Sequence, residues 1–204
     1  MVLAATKPIA AWWKHPLRMT FGSGAASLRA FRDDQLNLML AAATESPVGR
    51  ITLCTRAEVD RAVEAAQRAL VSFSHSSRQE RLDLLSSILG VYVKRQDELA
   101  EAALTDELGA PRKFAKEVQV GAGLWHLQTA MGILNDYKSE YPQSSRSVIR
   151  RQPIGVVGAI TPGNWPVNQV VIKVFPAFAT GCTVVHKPFG GGSAHCPCAG
   201  RDLS

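Results

Sequence analysis

The sequence predicts an α/β fold, a helical segment followed by one β-α-β unit, and three observations carry that prediction. Two capping boxes, Thr55-Arg-Ala-Glu58 and Ser77-Arg-Gln-Glu80, each precede apolar residues at helical spacing. A short apolar run, Gly155-Val-Val-Gly-Ala-Ile160, is bounded by glycine and proline, the pattern of a buried parallel strand. The stretch Val167–Thr180 is apolar on nearly every helical face and runs into a second strand-like run, Cys182-Thr-Val-Val-His186.

Taken in order, Met1 to about Leu40 has no sustained period of either kind, and Pro47–Gly49 marks a turn. After the first capping box, Val59, Val63, Ala66 and Leu70 define one helical stripe; after the second, Leu82, Leu85, Leu89 and Val93 define another. A third helix is expected near Asp97–Leu108, with Gly109 as its left-handed cap and Pro111 preventing continuation. A fourth is expected over Lys113–Leu134. The pattern changes after Tyr141-Pro142, and Ser147–Gln152 suits an exposed strand that Pro153 ends. The β-α-β crossover should be right-handed, and in open α/β sheets the ligand site lies beyond the carboxyl ends of the strands. Those ends carry Thr161–Pro166 and Lys187-Pro188. No GxGxxG motif is present.

Composition excludes several classes. The 204 residues are 46% hydrophobic and 20% charged, an ordinary globular balance. No apolar run is long enough to cross a bilayer. The net charge of +6 comes from scattered Lys and Arg with no aromatic interleaving, so no nucleic-acid partner is expected. Four cysteines are too few for a disulfide scaffold at this length, which favours a reducing compartment and a cytoplasmic location. The first 32 residues contain no Asp or Glu, so the alternative is a mitochondrial transit segment; Trp12-Trp13 and Pro16 fit its amphipathic helix badly. Cys196-Pro-Cys198 with His195 and His186 lacks a second ligand pair, and no metal is expected.

The two loop segments carry a family signature. Pro153-Ile-Gly-Val-Val-Gly-Ala-Ile-Thr-Pro-Gly-Asn-Trp-Pro166, then Lys173, Pro176-Ala177 and Ala179-Thr-Gly-Cys-Thr-Val-Val-His-Lys-Pro188, resemble the NAD(P)-dependent aldehyde dehydrogenase superfamily. Ala57–Val63, Arg78–Leu85 and Asp106–Pro111 resemble the N-terminal region of that family, so the likeness covers about residues 45–188. It implies a Rossmann-like cofactor domain, NAD or NADP as cofactor, an aldehyde substrate and a homo-oligomer. In the family's reaction a cysteine thiolate attacks the aldehyde, the resulting thiohemiacetal loses hydride to the nicotinamide, and a carboxylate-activated water hydrolyses the thioester. The resemblance gives Asn164 the role of side-chain oxyanion donor. It places Lys187 at the adenosine ribose, and Ile160, Thr161, Pro162 and Trp165 on the cofactor or substrate wall. Without the resemblance these are a turn asparagine, a solvated lysine and ordinary loop packing.

Departures bound what the resemblance implies. None of the four cysteines stands in the family's nucleophile motif, and the general-base glutamate motif is also absent, so these residues alone are expected to be inactive. The alternative is a non-catalytic fragment that associates with full-length subunits, since family members oligomerise partly through strands such as Ser147–Gln152. Gly163 replaces the usual aromatic residue and His186 the usual aliphatic one. Lys187-Pro188 is followed by Phe189-Gly-Gly-Gly-Ser-Ala-His-Cys196 where the family has Ser-Glu, whose carboxylate holds the ribose.

The expected organisation is therefore an irregular segment over 1–44, an incomplete cofactor-binding domain over 45–188 and a Gly-rich tail over 189–204. With two parallel strands only, its apolar faces and edges should favour aggregation, leaving the helices of 55–134 the most ordered part. A reading-frame shift accounts for the tail. Encoded as TTC GGA GGT GGC TCC GCT CAC TGC and read from the second base, Phe189–Cys196 becomes Ser-Glu-Val-Ala-Pro-Leu-Thr, which resembles the family's own continuation. Sequencing the coding DNA past codon 188 checks this: a family-like open frame is expected, and its absence would overturn the idea.

Overall fold

The computed structural model describes residues 2–3, 36–52 and 54–188. Most of the expected irregular segment, the Gly-rich tail, and His195, Cys196 and Cys198 lie outside the described residues. The elements are β1 (Val2–Leu3), β2 (Leu36–Leu40), β3 (Pro47–Thr52), α1 (Arg56–Phe73), α2 (Arg78–Lys94), α3 (Gln96–Glu98), α4 (Arg112–Phe114), α5 (Gly121–Asp136), β4 (Glu140–Pro142), β5 (Val148–Arg150), β6 (Val156–Ile160), α6 (Pro166–Ala179) and β7 (Thr183–Lys187). The expected α/β class holds: helices pack on a small sheet containing one β-α-β unit.

Both capping boxes form. The Thr55 backbone N–H donates to Glu58 Oε2 at 2.7 Å, and the Ser77 N–H to Glu80 Oε2 at 2.7 Å. Each carboxylate thereby satisfies a donor at the helix start that has no partner within the helix. The Ser77 backbone and side-chain donors hold the Glu80 carboxyl below its ordinary value. The buried stripes differ slightly from the expected ones. In α1, Val59 is exposed and the buried positions are Ala66, Ala69 and Phe73. In α2, Val93 is exposed and Tyr92 is buried in its place.

The third and fourth helices depart from regular α geometry. Helix α3 continues as a π-helical stretch over Leu99–Asp106, and Gly109 ends it with φ 75°. Helix α4 passes through a π-helical stretch over Ala115–Val120 into α5, so one helical rod runs from Arg112 to Asp136. A π turn holds an extra residue and frees backbone carbonyls from the usual ladder. The buried Tyr92 hydroxyl donates to the Val120 carbonyl at 2.8 Å. Burial pushes the Tyr92 hydroxyl pKa up, keeping it a donor. Gly123 makes room for that hydroxyl: a Cβ there would collide with the Tyr92 oxygen.

The sheet has the order β1-β7-β6. Strands β6 and β7 are parallel, in a register from Val156↔Thr183 to Ile160↔Lys187. Strand β1 adds antiparallel to the far edge of β7, so the sheet has one strand more than the two expected. A two-residue strand carries no sequence period, which is why it was not foreseen. Likewise β2 lies within the segment expected to be irregular; its Leu36, Leu38 and Leu40 alternate, and it pairs with β3.

Helix α6 joins β6 to β7 and buries eight residues, among them Val167, Val171, Val174, Phe175 and Phe178. This meets the expectation for a helix apolar on most sides. Helices α1 and α6 both pack on β6 and β7. Thr183 donates to the Ala66 carbonyl of α1 at 3.1 Å, while Val184, the next residue, is fully buried in the core shared with α2, α5 and α6. Gly181, at φ 83°, turns the chain from α6 into β7, where a Cβ would press on Pro153 at 3.0 Å. The β4–β5 hairpin is held to the end of α5 by Arg151, whose guanidinium lies 5.3 Å from the Tyr137 ring and 5.2 Å from that of Tyr141. No helix among the described residues is long and apolar enough to cross a membrane.

Substituting Gly123→Ala should destabilise the chain by about 1–3 kcal/mol through overpacking, and Tyr92→Phe by about 1 kcal/mol through its lost hydrogen bond. Urea denaturation of both variants and the double variant checks this. The alanine should cost less when the Tyr92 hydroxyl is gone, and strict additivity would contradict the packing described.

Candidate functional site at the strand ends

The parallel register places the last residues of β6 and β7 side by side. Ile160 pairs with Lys187, and the Thr161 N–H donates to the Lys187 carbonyl at 3.2 Å, the last tie before the chains diverge. From there one chain enters the loop Pro162-Gly-Asn164 and the other reaches Pro188. The loop ends at Trp165, which precedes α6 with φ −138° and ψ 64° and makes no side-chain cap. Pro166 takes the first helical position, where the missing N–H costs nothing. The Trp165 ring is half-buried and meets Phe114 edge to face, with centroids 5.8 Å apart.

The residues singled out in the sequence sit at this end of the sheet, at different depths. Asn164, Pro162 and Lys187 are exposed. Ile160 is 69% exposed, a large apolar side chain left open beside a lysine. Thr161 is instead buried, 4% exposed, and its hydroxyl lies 3.0 Å from His186 Nε2. Its side chain therefore lies beneath the loop and not on the surface. His186 is itself 2% exposed. The geometry offers side-chain amide donors at Asn164, a cation at Lys187, and an apolar surface at Ile160.

Gly158 was missed in the sequence. It lies two residues before Ile160 on the same strand face and opposite Val185, and an added Cβ would meet no atom within 4 Å. Here β6 presents bare backbone between the Val156 and Ile160 side chains. The period-two pattern of the strand was the available signal. Two other polar atoms went unnoticed: Gln119 Oε1 and Asn168 Oδ1 are buried without a hydrogen-bond partner among the described residues. Asn168 lies in the first turn of α6, four residues beyond Asn164.

Other candidate chemistry is not assembled here. No group of three or more His, Cys, Asp or Glu among the described residues could hold a metal. Cys54 is exposed and free; Cys182 is free and buried within the core. A cleft of about 630 Å³ lies elsewhere, between the β4–β5 hairpin, the start of β6 and the last turns of α6, with Arg81, Arg151, Lys173 and Cys182 in its wall. It contains none of the strand-end residues. At the strand ends Ile160, Pro162, Asn164 and Lys187 are exposed, and their chemistry and position identify the candidate site.

Comparison with known proteins agrees with this geometry. Residues 32–195 match the model of the Aldehyde dehydrogenase family. A 3-succinoylsemialdehyde-pyridine dehydrogenase from a Pseudomonas species is 47% identical over 147 residues, which is 72% of this chain and 30% of that protein. A putative aldehyde dehydrogenase from Staphylococcus aureus is 42% identical over 146 residues, with the same coverage of 72% and 30%. Among solved structures, an aldehyde dehydrogenase from Bartonella henselae superposes with a TM-score of 0.73 at 32% identity, over 76% of this chain and 33% of its own. A cysteine-to-alanine mutant of aldehyde dehydrogenase C from Pseudomonas syringae, solved with NAD+ and octanal, gives 0.72 at 37% identity, over 75% and 31%. The chain thus spans about a third of the length of the proteins it resembles. With the family match covering most of the sequence, and the β6–α6–β7 unit in the expected register, the chain belongs to the aldehyde dehydrogenase family.

Proposed function

We propose that these residues supply part of the cofactor site and the oxyanion-stabilising amide of an NAD(P)-dependent aldehyde oxidation. The observation that carries this reading is the pairing of Ile160 with Lys187 at the strand ends, with Asn164 exposed in the loop that follows. The dinucleotide, when bound, accepts hydride from the substrate. The residues present fit such a ligand. Gly158 leaves the β6 backbone open and exposed, with nothing within 4 Å of the place a Cβ would take, and Ile160 offers an apolar surface to a base or ribose. Lys187 offers a donor to ribose hydroxyls. Asn164 donates a side-chain N–H to the oxygen of the reacting carbonyl as it gains charge. One such donor is typically worth about a hundred- to a thousandfold in rate.

We infer that the nucleophilic thiol and the general base are not among the described residues. Cys182 is enclosed in the core, and Cys54 precedes α1. We place the protein in a reducing, cytoplasmic setting, in keeping with its free thiols. A second reading is that the chain associates with full-length subunits as a non-catalytic partner. It is favoured by β5, which pairs only with β4 among the described residues and carries an exposed Val148. Co-expression with a tagged full-length homologue tests it: co-purification supports the reading, and its loss on Val148→Lys would assign it to β5.

Titration with NADH, followed by its fluorescence, should show binding that Lys187→Ala and Gly158→Val each weaken by about tenfold, the loss of one good contact. Asn164→Ala should leave that affinity unchanged. The purified chain should reduce no NAD+ when given an aldehyde. Reduction that a thiol-blocking reagent abolishes would show that a cysteine of this chain is the nucleophile.

A further inference from the structure

Beneath the exposed loop lies a polar pair that the family signature does not contain. His186 and Thr161 are 25 residues apart, 2% and 4% exposed, and joined by a hydrogen bond of 3.0 Å between Nε2 and Oγ1. They end neighbouring strands, so the bond crosses from β7 to the residue immediately after β6. Next to it, the Thr161 N–H to Lys187 carbonyl bond ties the same two chains through the backbone. Beyond this double tie the loop has little else to hold it. Pro162 has no N–H, and Pro162, Gly163 and Asn164 make no hydrogen bond among the described residues. The next anchor is the Trp165 ring against Phe114. Three residues, including one glycine, are therefore suspended between two anchors.

We infer that His186 is a positioning residue: its hydrogen bond to Thr161 fixes the root of the loop and so sets where Asn164 and Lys187 stand relative to each other. An aliphatic side chain at this position would pack against the same neighbours but could not bond, and the buried Thr161 hydroxyl would lose that partner. Either assignment of the proton supports the role. The Thr161 hydroxyl donates to a bare Nε2, or Nε2–H donates to the hydroxyl; each makes one bond across the strand ends. His186 acts on the ligand only through Thr161 and the loop. The consequence for binding rests on the cofactor-site reading above, whereas the consequence for loop order does not.

The purified 204-residue chain tests this by amide hydrogen exchange and by NADH titration. His186→Leu keeps an apolar side chain of similar bulk and removes the bond; His186→Gln keeps a donor near the Nε2 position. The leucine variant should raise exchange of the Thr161 N–H, which is bonded to the Lys187 carbonyl at the loop root, by about tenfold, the upper range for one net hydrogen bond. Exchange in α2 and α5 should stay unchanged, and the glutamine variant should recover most of the protection. Thr161→Val should raise exchange at the same amide, and the effects of Thr161→Val and His186→Leu should be less than additive in the double variant. NADH affinity should fall severalfold in the leucine variant and return in the glutamine one. Unchanged exchange at the Thr161 N–H in His186→Leu overturns the inference. So does a rise spread evenly over α2 and α5, or loss of folding in both single variants, because each describes a residue that merely stabilises the whole. A chain that binds no NADH at all would overturn the cofactor-site reading, while the exchange pattern would still decide the role of His186.

Discussion

Parallel pairing of β6 with β7 constrains everything around it. Two parallel strands cannot be joined by a tight turn, so the chain must leave one end of the sheet and return to the other before β7 can form. Helix α6 makes that return, and it does so buried, with Val167, Val171, Val174, Phe175 and Phe178 turned into protein. Burial of that order requires partners on several sides, which α2, α5 and the sheet provide. The register then follows from the lengths of strand and helix. It leaves Ile160 beside Lys187, with both chains diverging from one point. The candidate site residues are thus placed first by the apolar middle of the unit.

What could be read from the sequence follows the range of the interactions involved. Capping boxes act over three residues, and both formed as written, from Thr55 to Glu58 and from Ser77 to Glu80. The β6–α6–β7 unit announces itself through composition, because a buried helix and buried parallel strands leave little choice of residue. Features fixed by tertiary contact were hidden. Val59 and Val93 fit their helical stripes, yet both face solvent, because only the packing partners decide which face of a helix is covered. The π-helical stretches leave no mark in an apolar period sampled over so few turns. Strand β1 is too short for any period, and β2 shows only three alternating leucines. At the site, Asn164 and Lys187 came from the family signature. Gly158 stands in the sequence only as one member of the apolar strand run, and His186 as a departure from the family pattern and a neighbour of the Cys196-Pro-Cys198 group.

The site itself divides into two layers with opposite character. On the outside, Ile160, Pro162, Asn164 and Lys187 face outward and are free to meet a ligand. Underneath, Thr161 and His186 are enclosed and bonded to each other. A buried polar pair is costly unless satisfied, and a satisfied pair resists alternative arrangements. Such a foundation suits a loop that has to hold an amide in place without hydrogen bonds of its own.

The bond from Tyr92 to the Val120 carbonyl has a further consequence, which concerns rotation. Each residue added to or taken from a helix turns everything beyond it by about 100°. The π-helical stretch over Ala115–Val120 therefore works as a phase shifter between the two halves of the rod. In the phase that Tyr92 and Gly123 lock, Leu127 and Leu134 face inward and Trp125 and Ile133 face out. Losing one residue from the stretch would turn Leu127 and Leu134 away from the buried face by about that angle. An irregularity of one helical turn thus sets the angular origin for the whole of α5, and through it the seat on which the strand-crossing helix rests.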